Sequence, residues 1–123
     1  MPTPQPEADM ALGAAAGLDA ASRERIEAAA FRALRAHLLE ARPEVQNIDL
    51  MTLAGFCRNC LARWMGEAAA ERGVAMTKEE ARELFYGEPF AGWAARHQAT
   101  ASAEQQAAFA KAFAENVGGR KEP

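Results

Sequence analysis

Strand signals are missing from this 123-residue chain: nowhere do Val, Ile, Thr and aromatic residues alternate with polar ones as a half-buried strand requires. Ala, Glu, Arg and Leu dominate instead, with apolar positions recurring at helical spacing, so the expected class is all-α. Also missing is any apolar run near the roughly 18 residues of a membrane-spanning helix. Asp49, Arg58 and Asn59 interrupt the best stretch, and no membrane partner is expected. A basic excess is lacking as well. Fourteen Lys and Arg stand against 17 Asp and Glu, for a formal charge of -3. Arginines scattered among acids form no concentrated surface for a phosphate backbone, which argues against nucleic acid.

Cysteine and histidine are scarce, with two of each. No Ser/His/Asp triad, pair of catalytic carboxylates, glycine-rich phosphate loop or H-E-x-x-H helix can be assembled. The first 18 residues have no basic start and match neither a secretory signal nor a transit peptide. A cytoplasmic location follows as an expectation, and there both thiols stay reduced. Together these absences favour a non-catalytic interaction or accessory module over an enzyme.

What remains is a chain of a length suited to one core. Residues 1–18 carry three prolines and a Gly/Ala-rich run and read as a flexible tail, 19–117 as a single helical domain, and 118–123 as a frayed end. About five helices are expected. The first starts at Asp19 or Ser22, both good N-caps, and stops before Arg42-Pro43, because a residue preceding proline avoids helical geometry. Its inward stripe is Ile26, Ala30, Leu34, His37, Leu38 and Ala41.

Asn47 caps a long central helix with Asp49 in its first turn, and Gly73 stops it. At 100° per residue, Leu50, Leu53, Cys57, Cys60, Leu61, Trp64, Met65 and Ala68 form its core face. Thr52, Gly55, Asn59, Ala62 and Gly66 form the opposite, small-residue face. Two interior glycines cost about 0.8–1 kcal/mol each against alanine, which close approach of another helix would offset. That helix would come from the same chain or from a second copy in a homodimer; the alternative is a solvated face on which the glycines are tolerated.

Thr77-Lys78-Glu79-Glu80 is a capping box opening a short helix that ends at Tyr86-Gly87. Pro89 starts the next, with Phe90, Trp93, Ala94 and His97 on one side. Ser102 to Gln105 is a second box, opening a last helix that buries Phe109 and Phe113 and ends at Gly118-Gly119.

The chemistry-bearing motif is Cys57-Arg58-Asn59-Cys60. C-x-x-C spacing suits dithiol redox exchange or half of a tetrahedral zinc site. Redox pairs of this form stand at a helix N-terminus, whereas a helix begun at Asn47 puts these cysteines about two turns inside it. Zinc needs four ligands, and the inventory is Cys57, Cys60, His37 and His97, with Asp49 as an oxygen donor. The plain alternative is two reduced core thiols and no cofactor. Asn47, Asp49, Arg58 and Asn59 are candidates to line a small polar site. Capping accounts for the first and second, and a salt bridge to a facing helix for Arg58.

The run VQNIDLMTLAGFCRNCLARW, followed by EEARELFYGEPFAGW, resembles the bacterial family known as domain of unknown function 1244 over roughly residues 25 to 110. Its hallmark segments are LAGFCRNC and a YG-x-P-aromatic-x-x-W turn. The resemblance implies a small all-helical cytoplasmic protein and no assigned activity. It places Asn47, Asp49, Leu53, Gly55, Phe56, Cys57, Arg58, Asn59, Cys60, Trp64, Tyr86, Gly87, Pro89 and Trp93 at motif positions. Phe90 stands where Tyr is expected at least as often, and His97 lies outside the hallmark segments.

Overall fold

A computed structural model of the chain describes residues 17–116. The expected tail up to residue 16 and the Gly118-Gly119 stop lie outside the described residues. All regular structure among the described residues is helical. The chain divides into two compact units, one ending at Arg35 and one beginning at Ala36.

The first unit is carried by α1, Ala20–Ala36. Asp19 caps it, its Oδ1 accepting from the Ser22 amide at 2.7 Å, as its residue type predicts. No residue of α1 is buried. Of the inward stripe expected on this stretch, Ile26 is 56% exposed and Leu34 37%, and Ala30, His37 and Ala41 are exposed as well. Only Leu38 is buried. Among the described residues of this unit, no other helix is present to cover that stripe.

The second unit opens with a π-helical turn, His37–Ala41, whose wider winding lets the Arg42 amide reach the His37 carbonyl at 2.8 Å. Then come α2 (Asn47–Ala54), α3 (Arg58–Glu71), α4 (Lys78–Tyr86), α5 (Phe90–His97) and α6 (Ala103–Asn116). Helix α3 packs on α4, α2 on α6, and α4 on α5. The core is Leu38, Cys57, Leu61, Ala62, Ala81, Phe85, Tyr86 and Trp93, with Arg58 buried among them.

The single rod expected from Asn47 to Gly73 is two helices. Gly55 adopts φ +78°, a left-handed conformation that glycine enters without steric cost, and its N–H closes on the Met51 carbonyl at 3.0 Å. Cys57 is extended (φ -145°, ψ -177°) and stands as the N-cap of α3. Restarting a helix after non-helical residues resets its phase, so the predicted core face is also corrected. Arg58, Leu61 and Ala62 point inward, while Trp64 is 42% exposed and Leu53, at the end of α2, 85%. At the far end Gly73 (φ +83°) does terminate α3 as expected, with the Val74 amide on the Ala69 carbonyl at 2.9 Å.

Local signals placed the later helices well. The Thr77/Glu80 box is reciprocal, at 3.1 Å and 2.8 Å, and Gly87 ends α4 at φ +77°. Ser102 and Gln105 form the second box, at 3.0 Å and 2.8 Å. Phe113 is 37% exposed and stacks along α6 on Phe109, 5.7 Å between centroids, so it is not buried as expected.

Candidate functional site

Arg58, the first residue of α3, is wholly inaccessible to solvent. A buried guanidinium needs acceptors for a planar fork of five N–H groups. Four of these bonds are made: Nε to the Leu38 carbonyl (3.0 Å), Nη1 to the Val45 carbonyl (2.6 Å) and Asn47 Oδ1 (2.9 Å), and Nη2 to the Arg42 carbonyl (3.0 Å). The Leu38 and Arg42 carbonyls lie in and just after the π-helical turn, where a helix leaves acceptors unpaired and its dipole favours a cation. Trp93 covers the guanidinium, 4.9 Å from carbon to ring centroid. Burial lowers the Arg58 pKa from its ordinary value. The expected salt bridge to a facing helix is not what holds it: among the described residues its partners are neutral oxygens.

Asn47 is likewise reassigned. It is the first residue of α2 rather than its cap, and its Oδ1 serves α3, accepting from the Arg58 amide (3.4 Å) as well as from Nη1. Asn59 Oδ1 accepts from the Tyr86 hydroxyl at 2.9 Å, joining α3 to α4. Burial pushes the Tyr86 phenol up to about 12, against the weaker pull of an Asn47 side-chain hydrogen bond. Tyr86 in turn packs on Trp93 (4.9 Å), Phe90 (5.1 Å) and Phe85 (5.2 Å). Asp49 stands apart, its Oδ2 accepting from Gln105 of α6 at 3.0 Å. The four residues proposed for one polar site therefore divide. Arg58 is sealed in, Asp49 ties two helices, and Asn47 and Asn59 line a cleft of about 290 Å³ closed by Gln98 to Ala101.

The cysteines stand at the very start of α3, not two turns inside a helix. Cys57 is the N-cap and is buried; Cys60, one turn on, is half-buried. Both are free thiols. Burial raises the Cys57 thiol, and the amides of Cys60 and Asn59 oppose this only in part. The Cys60 thiol lies 3.9 Å from the Met51 sulfur in the last turn of α2. Cys60 also opens onto a groove of about 540 Å³ between α3 and α4, whose walls carry Arg63, Glu67, Lys78 and Arg82. No group of three or more His, Cys, Asp or Glu side chains among the described residues could hold a metal ion. His97 stacks on Trp93 at 4.8 Å, and His37 is exposed.

The small-residue face is broken with the rod. Thr52 returns its hydroxyl to the Ile48 carbonyl at 2.9 Å, and Gly55 is the left-handed cap. Gly66 is met from within the chain: a Cβ there would stand 3.1 Å from the Ala81 Cβ of α4. Close approach of a helix was legible for Gly66; the different work of Gly55 was not. Sequence reasoning also missed Met51 as a partner of Cys60 and the carbonyls that receive Arg58, since no sequence spacing marks either.

Fold and cluster together define a small all-α domain whose most distinctive polar residues serve its architecture. The chain belongs to the family described as Protein of unknown function (DUF1244), whose model matches residues 45–111. That span starts later than the resemblance and includes every motif residue from Asn47 to Trp93. None of the curated proteins matches the chain. No helix among the described residues is long and apolar enough to cross a membrane.

Proposed function

We propose that this domain is a non-catalytic interaction module that pairs with a second copy of itself through the break between α2 and α3. The supporting observation is that two large apolar side chains beside this break face solvent, Leu53 at 85% exposure and Trp64 at 42%, with Phe56 stacked on Trp64 at 6.3 Å. Meanwhile Arg58 donates to the Leu38, Val45 and Arg42 carbonyls and to Asn47 Oδ1, and Tyr86 donates to Asn59 Oδ1. Exposed aromatic and aliphatic anchors of this kind are characteristic of interface cores. Arg63 and Glu67 lie beside Trp64, a pair of opposite sign 3.7 Å apart. A two-fold copy would thus meet complementary charges at the rim. A cytoplasmic setting, where both thiols stay reduced, belongs to the same reading.

Sedimentation velocity over a wide concentration range tests it. The expected result is a concentration-dependent dimer that Leu53→Ser and Trp64→Ser each weaken. A monomer at every concentration would overturn the proposal.

A further inference from the structure

Arg82 is positioned without being hydrogen-bonded. Its side chain, on α4, is 20% exposed, and its guanidinium is seated over the Phe90 ring, 4.8 Å from carbon to centroid. Glu79 comes no closer than 3.6 Å, and no described residue accepts a hydrogen bond from the guanidinium. Stacking on a ring fixes a guanidinium without consuming its five in-plane N–H donors. We propose that Arg82 anchors the carboxylate of an aliphatic acid whose chain lies in the groove between α3 and α4.

The groove supplies the rest of the site. Its volume of about 540 Å³ is that of a pocket for a small molecule. Arg63 and Arg82 both fall between the Asn59–Tyr86 bond and the Gly66–Ala81 contact, so they border the same stretch of groove from opposite walls. Gly66 and Ala81 form an apolar floor, and Ala70 and Met76 continue it away from the two arginines. Ala70 lies two turns beyond Arg63 along α3, about 10 Å, which a chain of roughly eight carbons spans.

Charge selects an anion. Arg63, Lys78 and Arg82 line the groove against Glu67 alone, in a chain whose formal charge is -3. Glu67 stands 3.7 Å from Arg63, and Lys78 has no ion pair among the described residues. A concave apolar wall focuses that positive potential, and the guanidinium fork matches a carboxylate through two parallel N–H bonds. No aromatic ring is among the lining residues, so a nucleotide base would find nothing to stack on. The groove shares Arg63 and Glu67 with the rim of the pairing surface proposed above, and neither reading rests on the other.

The test is titration of the full chain with sodium octanoate, followed through the proton–nitrogen NMR shifts of the Gly66, Ala81 and Arg82 amides. The expected result is saturable binding of one octanoate per chain. Octanamide, with the same body and no charge, should bind at least tenfold more weakly, and Arg82→Gln should weaken octanoate by a similar factor. Absence of saturable shifts at millimolar octanoate, or equal binding of octanamide, would overturn the site. Inorganic phosphate binding as tightly as octanoate would do the same, since the apolar floor would then contribute nothing. Shifts confined to Leu53 and Trp64 would put the acid on the pairing surface and refute the groove. These measurements on the wild-type chain decide the matter even if Arg82→Gln fails to fold.

Discussion

Asn47 holds Arg58 twice, its single side-chain oxygen accepting from the backbone amide at 3.4 Å and from the guanidinium at 2.9 Å. One residue thereby orients both the start of α3 and the charge buried beneath it. The hallmark segment is in this sense a joint: it turns the chain, restarts a helix, and secures the loop from Arg42 to Val45 against it.

Removing the charge should unfold much of the second unit. Arg58→Met leaves the buried Leu38 carbonyl and the part-buried Arg42 and Val45 carbonyls without their side-chain donor, and Asn47 Oδ1 with the backbone amide alone. The expected cost is at least about 3 kcal/mol, a large share of a small domain's stability. Arg58→Lys should recover little of it, because one ammonium cannot span four acceptors set for a planar fork. Urea unfolding of the three proteins measures this, and a loss under 1 kcal/mol in Arg58→Met would refute the joint.

Alkaline pH should weaken the fold through one phenol. Tyr86 is the sole tyrosine, so phenolate absorbance reports it alone. In the unfolded chain it ionises near 10, and in the folded chain near 12. Its neutral form is the one that the fold favours, so the associated stability is complete below pH 10. It is then lost between 10 and 12, at up to about 1.4 kcal/mol per pH unit. Tyr86→Phe should flatten that stretch of the stability profile while costing about 1 kcal/mol at neutral pH through the lost bond to Asn59.

Gly55→Ala tests the break in the rod. No atom lies within 4 Å of the added Cβ, so crowding contributes nothing. With φ at +78° the change should nonetheless destabilise by about 1–2 kcal/mol. In an uninterrupted helix the same change would stabilise by about 0.8–1 kcal/mol, so the sign of the measured difference decides between the two geometries.

The two thiols should react at different rates. Cys60 borders the groove, whereas Cys57 is buried and its thiol is held above the ordinary value. A disulfide reagent should label Cys60 first. Cys60→Ser protein should react roughly tenfold or more slowly than Cys57→Ser at neutral pH. Equal rates would show that the first turn of α3 opens readily to solvent.

Much of this fold could be read from the sequence, because caps are local. Thr77 with Glu80, Ser102 with Gln105, and Gly73 and Gly87 each announce a helix end through residues within one turn of it. Gly55 escaped because helical periodicity continues on both sides of it, and a glycine inside such a pattern reads as tolerated. The buried role of Arg58 escaped for a different reason. An arginine belongs at the surface by default, and what draws it inward is a set of carbonyls up to 20 residues earlier in the chain. Leu53 and Trp64 were placed in the core by a phase that the break cancels.

At the crossing of α3 and α4, Gly66 and Ala81 have space between them for one methyl group and no more. Substitution at either position is therefore a question put to both. A chain with alanine at 66 and glycine at 81 should fold much as this one does, whereas alanine at both would require the two helices to give by a few tenths of an ångström at this contact.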